Sequence, residues 1–351
     1  MSTPPAYAVV VPTLGRPCLE RCLAALAGSV GPAPREVVVV DDRPGPRGGL
    51  SPLPLDALGE LRGVARAAHS GGRGPAAARN TGWLTVTTPW VVFLDDDVRV
   101  TPTWRADLAR DLARAEPWTG GVQGVLDVPL PTDRRPTDWE RGTAGLARAR
   151  WATADMAYRT SVLDAVGGFD ERFPRAFRED ADLALRVMAV GWRLERGTRV
   201  TRHPVRPSGL LVSLRQQAGN ADDALMVRLH GRDWWGRAEA PRGRLRRHAL
   251  ITAAGAGAAA LALARRPALG AAAALGWAAG TAEFAWARIA PGPRTPREVT
   301  AMVATSVAIP PLAVWHRLRG TLRHRGRRPL PGRFPPPVPP EPVAAPVRPP
   351  A

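Results

Sequence analysis

The sequence predicts an α/β domain with a mostly parallel central sheet, followed by an Ala-rich helical extension. Three nearly continuous apolar runs, Ala8–Val11, Glu36–Val40 and Val91–Leu94, have the length and the β-branched content of strands buried on both faces. The Leu- and Ala-rich stretch 17–27 separates the first two runs and predicts an amphipathic helix. Strands that alternate with helices in this way form parallel sheets.

The size and composition of the chain set its broad class. Its 351 residues suffice for one large domain, expected over residues 1–240, and an appendage. A hydrophobic content of 45% excludes a disordered chain. The only cysteines, Cys18 and Cys22, exclude a disulfide framework and a cysteine-based zinc site. The short polar segment before the first strand predicts that no signal peptide is present.

Positive charge is concentrated in the second part of the chain. The net charge of +18 divides into +4 for residues 1–240 and +14 for residues 241–351, and every basic residue is an arginine apart from the histidines. Such a segment is expected to meet an anionic surface. Because its arginines flank apolar runs and are not interleaved with aromatic residues, we expect a membrane surface as the partner and no nucleic acid.

Three apolar runs organise the extension, expected over residues 241–328. They are Ala249–Ala264, Pro267–Thr281 and Val299–Val314. Each is at or below the ~20 residues that a bilayer-spanning helix needs. We therefore expect a helical hairpin that is shallowly or fully inserted, with arginines on the cytoplasmic side; the alternative is a soluble Ala-rich appendage. Residues 329–351 are Pro-rich and predict a disordered tail.

Acidic residues follow the second and third predicted strands. Three adjacent carboxylates, Asp95, Asp96 and Asp97, repel one another unless a cation lies beside them. Because alternate side chains of an extended segment point the same way, Asp95 and Asp97 can face one Mg²⁺ or Mn²⁺ ion. A solvated acidic turn is the alternative. Asp42 can accept hydrogen bonds from a nucleoside or can cap a turn.

Two further segments carry candidate chemistry. The Gly-rich stretch Gly71–Gly82 contains Arg73 and Arg79 and can approach a phosphate, although a loop-to-helix junction with surface arginines would look the same. The acidic segment Glu179–Asp182 opens a predicted helix with more carboxylates than capping requires. One of them can accept a proton from an attacking hydroxyl group. The polar stretch 131–147 predicts a mobile loop over the crevice.

Taken in order, these segments resemble the family 2 glycosyltransferases of the GT-A fold, over about residues 6–230. The matching segments are Val10–Thr13, Val39–Asp42, Ala78–Gly82, Phe93–Asp97, Gly167–Glu171 and Glu179-Asp180. The resemblance implies a transferase domain of the nucleotide-diphospho-sugar class. It also implies a nucleotide-diphospho-sugar donor, a divalent metal, and transfer of the sugar with inversion.

The resemblance also implies roles for individual residues. Donor-binding positions would be Pro12, Thr13, Asp42, Arg73, Asp95 and Asp96. The metal, Mg²⁺ or Mn²⁺, would be held by Asp97 and Asp95 with His203. Asp180 would be the general base, with Glu179 beside it as the second catalytic carboxylate. Gly72 and Asp155 depart from the residues that are frequent in the family at their positions.

The expected function is therefore transfer of one sugar to a glycan, lipid-linked or small-molecule acceptor. It would belong to bacterial cell-envelope glycan synthesis at the cytoplasmic side of the plasma membrane. The Gln-x-x-Arg-Trp signature of processive synthases is absent from Arg215–Gly219, which predicts single transfer. Five tryptophans are candidates for stacking on acceptor sugars, although packing is the commoner role: Trp139, Trp151, Trp192, Trp234 and Trp235.

Two other classes of protein stay open from the sequence. A nucleotidyltransferase also needs metal-binding aspartates, but it would place a Gly-rich basic loop after the first strand, where Pro12–Pro17 is a poor match. A membrane-associated scaffold with an inactive transferase-like domain is the second alternative. The complete acidic set argues against it, since an inactive domain has no need of such residues.

Overall fold

The structure is a computed structural model that describes residues 5–46 and 50–330, so most of the predicted tail 329–351 lies outside the described residues. Its strands are β1 (Tyr7–Thr13), β2 (Glu36–Asp41), β3 (Ala65–His69), β4 (Trp90–Leu94), β5 (Arg99–Val100), β6 (Thr119–Asp127), β7 (Asp155–Arg159) and β8 (Arg193–Arg202). The helices of the α/β part are α1 (Cys18–Ala27), α2 (Pro75–Trp83), α3 (Trp104–Arg114), α4 (Asp138–Ala144), α5 (Thr160–Val166), α6 (Glu179–Ala189), α7 (Val212–Gln216), α8 (Gly219–His230) and α9 (Trp234–Arg237). Two 3₁₀ helices span Leu55–Val64 and Gly145–Arg148, and the extension forms α10 (Leu245–Leu263), α11 (Pro267–Ile289) and α12 (Pro296–Arg323).

The strands form one eight-stranded sheet in the order β3-β2-β1-β4-β7-β6-β8-β5. The pairs β2/β3, β1/β2, β1/β4 and β6/β8 are parallel, and β7 and β5 pair antiparallel to their neighbours. The sheet is therefore mixed, with four of its seven pairings parallel. This confirms the α/β fold class and the C-terminal helices that the sequence predicts.

Helices cover both faces of the sheet at its centre. Successive residues of β1 alternate between two cores, so that Val9 packs with the leucines of α1 and Val10 packs with α2 and α6. All seven residues of β1 are buried. The unbroken apolar sequence of this strand is thus explained by a helix layer on each side.

The outer half of the sheet is held by a buried ion-pair network. Arg199 of β8 is fully buried and its Nε lies 2.8 Å from Asp155 Oδ1, while its Nη1 lies 3.2 Å from Asp111 Oδ2. Asp155 also accepts hydrogen bonds from the Trp104 indole and from the Thr201 hydroxyl, at 2.7 and 2.6 Å. Asp155, which departs from the family pattern, is therefore a core residue of this network.

The extension folds back onto the α/β domain. Helices α10 and α11 form a hairpin, and α12 then returns to pack against α8 and α10. Gly320 permits a close approach, because a Cβ atom at this position would lie 2.6 Å from Ala221 Cα on α8. Among the described residues, one helix is long and apolar enough to cross a membrane, α12, and 39% of its most apolar window is buried in the protein.

The segment 131–147 contains helix α4, so it is not an irregular loop, and its expected mobility stays a prediction. Thr137 and Glu140 form a capping box, in which the Thr137 hydroxyl accepts from the Glu140 amide and the Glu140 carboxylate accepts from the Thr137 amide. Helix α4 is also tied to the extension. Arg288 of α11 lies 2.9 Å from Asp138 Oδ2, and Glu298 of α12 accepts a hydrogen bond from the Asp138 amide at 2.9 Å.

We predict that Arg199→Met destabilises the protein by about 3–5 kcal/mol, because it leaves Asp111 and Asp155 as uncompensated buried charges. The matched control is Arg62→Met, which removes an ion pair with the 99% exposed side chain of Asp56 and should cost less than ~1 kcal/mol. Urea unfolding of the full chain measures both free energies. Equal losses in the two variants would contradict the structural role of the network.

Candidate active site

The carboxyl ends of β1, β2 and β4 open into a cleft of about 810 Å³. In parallel strands these ends lie at one edge of the sheet, which is where open α/β sheets bind ligands. Every site residue that the sequence predicts lines this cleft: Pro12, Thr13, Asp42, Arg73, Asp95, Asp96, Asp97, Glu179, Asp180 and His203.

The side chains of the aspartate triplet point in two directions. Asp96 accepts a hydrogen bond from the Thr13 hydroxyl at 2.7 Å and lies 3.4 Å from Arg16 Nη1, so it ties the ends of β1 and β4 together. Asp95 and Asp97 face the same site, as alternation along an extended segment requires. The triplet thus combines one carboxylate that fixes the loops with two that share a common site.

Asp95, Asp97 and His203 form a candidate metal centre, since their ligand atoms all lie within 4.8 Å of one another. His203 Nε2 lies 3.5 Å from Asp97 Oδ1, and the His203 amide donates to the Asp127 carbonyl, which fixes the residue after β8. The His203 Nδ1 atom is buried and has no hydrogen-bond partner in the described part of the chain. Two carboxylates fit a hard divalent cation, and an imidazole ligand favours Mn²⁺ over Mg²⁺.

The electrostatics of this centre favour a cation. Burial and the neighbouring Asp95 carboxylate raise the pKa of Asp97 above its usual range, because they disfavour its charged form. Arg206 partly compensates this charge, with its Nε 2.9 Å from Asp97 Oδ2. A bound divalent ion would do so more strongly and would stabilise the ionised form of Asp97.

A buried arginine joins the triplet to helix α6. Arg79 is 2% exposed, and its guanidinium lies 2.8 Å from Asp95 Oδ1 and 2.9 Å from Glu179 Oε1. It also stacks on Phe169, with the guanidinium carbon 5.6 Å from the ring centroid. The sequence places Arg79 near a phosphate or on the surface, whereas the structure pairs its two terminal nitrogens with carboxylates from different parts of the chain.

The two adjacent acids at the start of α6 have different surroundings. Glu179 is 2% exposed and is bonded to Arg79, whereas Asp180 is half-buried at the cleft and accepts a hydrogen bond from the Ala181 amide. Burial raises the pKa of both carboxyl groups; the Asp180 charge adds to the shift at Glu179, and Arg79 opposes it at both. Asp180 is therefore the acid with a carboxylate free to meet a ligand.

Two of the motifs that carry the resemblance, Ala78–Gly82 and Gly167–Glu171, contact each other. The Asn80 side chain accepts a hydrogen bond from the Phe169 amide and donates to the Phe169 carbonyl, both at 2.9 Å. Gly168 has a φ of +69°, and a Cβ atom there would lie 2.6 Å from Asn80 Oδ1. The same Asn80 holds Glu171, whose other oxygen lies 2.8 Å from Arg73 Nη1. The two motifs therefore shape the wall of the cleft through their contacts with each other.

The predicted nucleoside side of the cleft is organised around Asp42. Its oxygens accept hydrogen bonds from the Ser70 hydroxyl at 2.7 Å and from the Gly74 amide at 3.0 Å, which anchors the Gly-rich loop. Of the five candidate tryptophans, Trp139 lines the cleft, and its indole donates to the Arg206 carbonyl at 2.7 Å. The other four are absent from the cleft lining: Trp151, Trp192, Trp234 and Trp235.

Three arginines in the cleft were not identified as site residues from the sequence. Arg16, Arg175 and Arg206 line it, and two of them pair with the aspartate triplet. In a chain where arginines are frequent and no lysine occurs, their identity alone carries no signal. Arg206 comes three residues after His203, but only the fold shows that it reaches Asp97.

A mixed α/β sheet with carboxylates and arginines gathered at its strand ends defines a domain suited to a metal ion and a phosphate-bearing ligand. Residues 8–163 match the family model described as glycosyl transferase family 2. The matched residues include β1 to β4 and the aspartate triplet. The matched part of the α/β domain is thus similar to the family 2 glycosyltransferases, over most of the motifs that carry the resemblance in the sequence.

Known proteins are similar over different shares of the chain. The pre-mycofactocin glycosyltransferase of Mycobacterium tuberculosis is 30% identical over 191 residues, which cover 50% of this chain and 37% of the relative. The chain thus spans little more than a third of that curated relative. A mannosyltransferase from Pyrobaculum calidifontis, solved with GDP-Man and Mn²⁺, has a TM-score of 0.48 and 20% identity, covering 92% of this chain and 87% of its own. The TarS structure from S. aureus has a TM-score of 0.43 and 14% identity, covering 91% and 55%.

We predict that Asp97→Asn lowers the affinity of the full chain for Mn²⁺ by at least about tenfold, because it removes a charged ligand from the candidate centre. Titration with Mn²⁺ alone, followed by the electron paramagnetic resonance signal of the free ion, measures this affinity. Asp164→Asn is the control, since it removes an exposed carboxylate of α5 that is distant in sequence from the triplet. Undiminished Mn²⁺ binding in Asp97→Asn would overturn the assignment.

Proposed function

We propose that the chain transfers one sugar from a nucleotide-diphospho-sugar donor to an acceptor hydroxyl group, with a divalent metal and with inversion at the anomeric carbon. The observation that carries this proposal is the Arg79 bridge. It holds a carboxylate of the candidate metal centre, Asp95, and the acidic start of α6 at one cleft. A donor diphosphate bound beside the candidate metal centre would place its sugar within reach of the carboxylates at the start of α6.

The proposal assigns the donor to the side of the cleft formed by the strand ends. Asp97, Asp95 and His203 would hold the metal, which when bound neutralises charge on the leaving diphosphate. Arg16 and Arg206 already lie beside the triplet and add positive charge for the same group. The nucleoside would lie against the remaining predicted positions: Pro12, Thr13, Asp42, Arg73 and Asp96.

Asp180 is proposed as the general base. Its carboxylate is accessible at the cleft, whereas Glu179 is committed to the buried Arg79. A pKa raised by burial makes Asp180 a stronger base than an ordinary aspartate. When it removes the proton of an acceptor hydroxyl, the oxygen attacks the anomeric carbon opposite the leaving diphosphate, and the configuration inverts.

Membrane association is proposed for the extension, on the cytoplasmic side of a bacterial plasma membrane. Large apolar side chains are exposed on the hairpin, with Leu250, Leu263 and Leu275 at 71%, 86% and 71%. The net charge of +14 over residues 241–351 favours an anionic leaflet. A membrane-bound enzyme of this class would serve cell-envelope glycan synthesis, with a glycan, lipid-linked or small-molecule acceptor.

We expect Asp180→Asn to keep donor binding and to lose transfer by about 10²–10⁴-fold, the usual contribution of a positioned general base. A screen of sugar nucleotides for Mn²⁺-dependent thermal stabilisation identifies the donor, and donor turnover then measures the rate. Because the base must be ionised, turnover of the unchanged enzyme should fall as the pH drops through the raised pKa of Asp180.

Glu179→Gln is the companion variant for this test. It keeps the size of the side chain but weakens the pair with Arg79, so donor binding should also suffer. If Glu179→Gln abolishes turnover at unchanged donor affinity while Asp180→Asn stays active, the base has been assigned to the wrong residue.

For the extension, we expect the full chain to float with vesicles that contain an anionic phospholipid and to bind neutral phosphatidylcholine vesicles more weakly. Raised salt should weaken the first interaction, because exposed charges are screened. Flotation at low and high salt checks both points. A protein that stays unbound to anionic vesicles at low salt would exclude the proposed association.

A further inference from the structure

A second cavity, of about 1160 Å³, lies where α8, α9, the start of α10 and the end of α12 meet. None of its lining residues belongs to the cleft that holds the candidate metal centre. Its lining contains eight arginines and a single carboxylate, that of Asp223. Such a concentration of one charge produces a positive potential that favours an anionic ligand.

The positive charge of this basic cavity is only partly neutralised by the protein. Asp223 is bonded to Arg178 outside the cavity lining, with Oδ1 2.8 Å from Nε. Glu283 of α11 pairs with two of the eight lining arginines, Arg244 and Arg247, at 3.0 and 3.1 Å. Within the described ranges, Arg232 and Arg246 have no ion-pair or side-chain hydrogen-bond partner. Arg317 is half-buried, and the loss of hydration lowers its pKa despite the attraction of Asp223.

The start of α10 adds to the same field. Arg244 occupies the N-cap position and Arg246 lies in the first turn, which has neither an acidic residue nor a side-chain cap. The N-terminus of a helix carries a partial positive charge, so arginines are unfavourable there and anions are favourable. The cavity wall also contains His324, which is 7% exposed and whose buried Nδ1 has no partner among the described residues.

Apolar side chains are exposed on two of the helices that contribute to the lining of this cavity, α10 and α12. Leu318 and Leu322 flank Thr321 of the lining on α12 and are each 57% exposed, and Leu250 follows the arginines of α10 at 71%. A free inorganic anion would make no use of these side chains. An amphiphile with a charged head and an apolar tail would cover both surfaces.

We propose that the basic cavity binds the phosphate-bearing head group of an anionic membrane lipid, whose acyl chains lie against the exposed leucines of α10 and α12. The inference rests on the membrane association proposed above and names the ligand at the surface. Arginine suits this role because its planar donor fork matches the oxygens of a phosphate. The site also explains why the arginines cluster at the base of an apolar hairpin.

The test compares two double variants of the full chain that lose the same charge. Arg232→Gln with Arg246→Gln removes two cavity arginines that make no ion pair in the described structure. The control, Arg35→Gln with Arg114→Gln, removes two exposed arginines of the α/β part of the chain that line neither cavity. Binding to vesicles of phosphatidylcholine with phosphatidylglycerol should weaken roughly thirtyfold in the first variant and little in the second.

Three measurements complete the test. Donor-nucleotide binding with Mn²⁺ should be unchanged in both variants, so failure at the basic cavity is distinguishable from failure of the proposed transferase function. Inorganic phosphate should compete only weakly with vesicles for binding to the unchanged chain. If phosphate instead competes strongly while both variants bind vesicles alike, the site binds a free anion and the proposal is wrong. Equal weakening in both variants, or a loss in the cavity variant confined to binding of duplex DNA, would also overturn it.

Discussion

The geometry of the candidate active site depends on one buried guanidinium. Arg79 lies between Asp95, at the end of a central strand, and Glu179, at the start of α6, and it is almost inaccessible to water. Without it, two carboxylates would be left close together in a poorly hydrated place, which is costly. With it, the cleft gains a fixed separation between the candidate metal centre and the candidate base. Motifs that are far apart in the sequence are thus held together at one cleft.

Much of the fold could be predicted from the sequence, because its determinants are local. The continuous valines of β1 and β2 indicate strands covered on both faces, and the structure confirms two helix layers. The triplet could be recognised because three adjacent acids after an apolar strand are chemically conspicuous, and all ten predicted site residues line the cleft. Their individual roles stay predictions, since position in a cleft does not by itself define chemistry.

The remaining features depend on contacts between distant residues. No local pattern shows that Arg206 reaches Asp97, or that Asp155 joins Arg199 in the core. Helix α4 could have been found from the capping box at Thr137, but its stability also comes from Arg288 and from the start of α12. Apolar character alone does not distinguish a helix that meets lipid from one that meets protein, so the packing of α12 against α8 becomes visible only in the fold.

The return of α12 to α8 has a consequence for how the protein is made. Ala221 leaves the ribosome long before Gly320, so the face of α8 that receives α12 stays uncovered while the hairpin is being synthesised. During that interval the uncovered face of α8 is open to chaperones or to the membrane itself. Folding of this part of the protein is therefore complete only when α12 has emerged and has packed against α8.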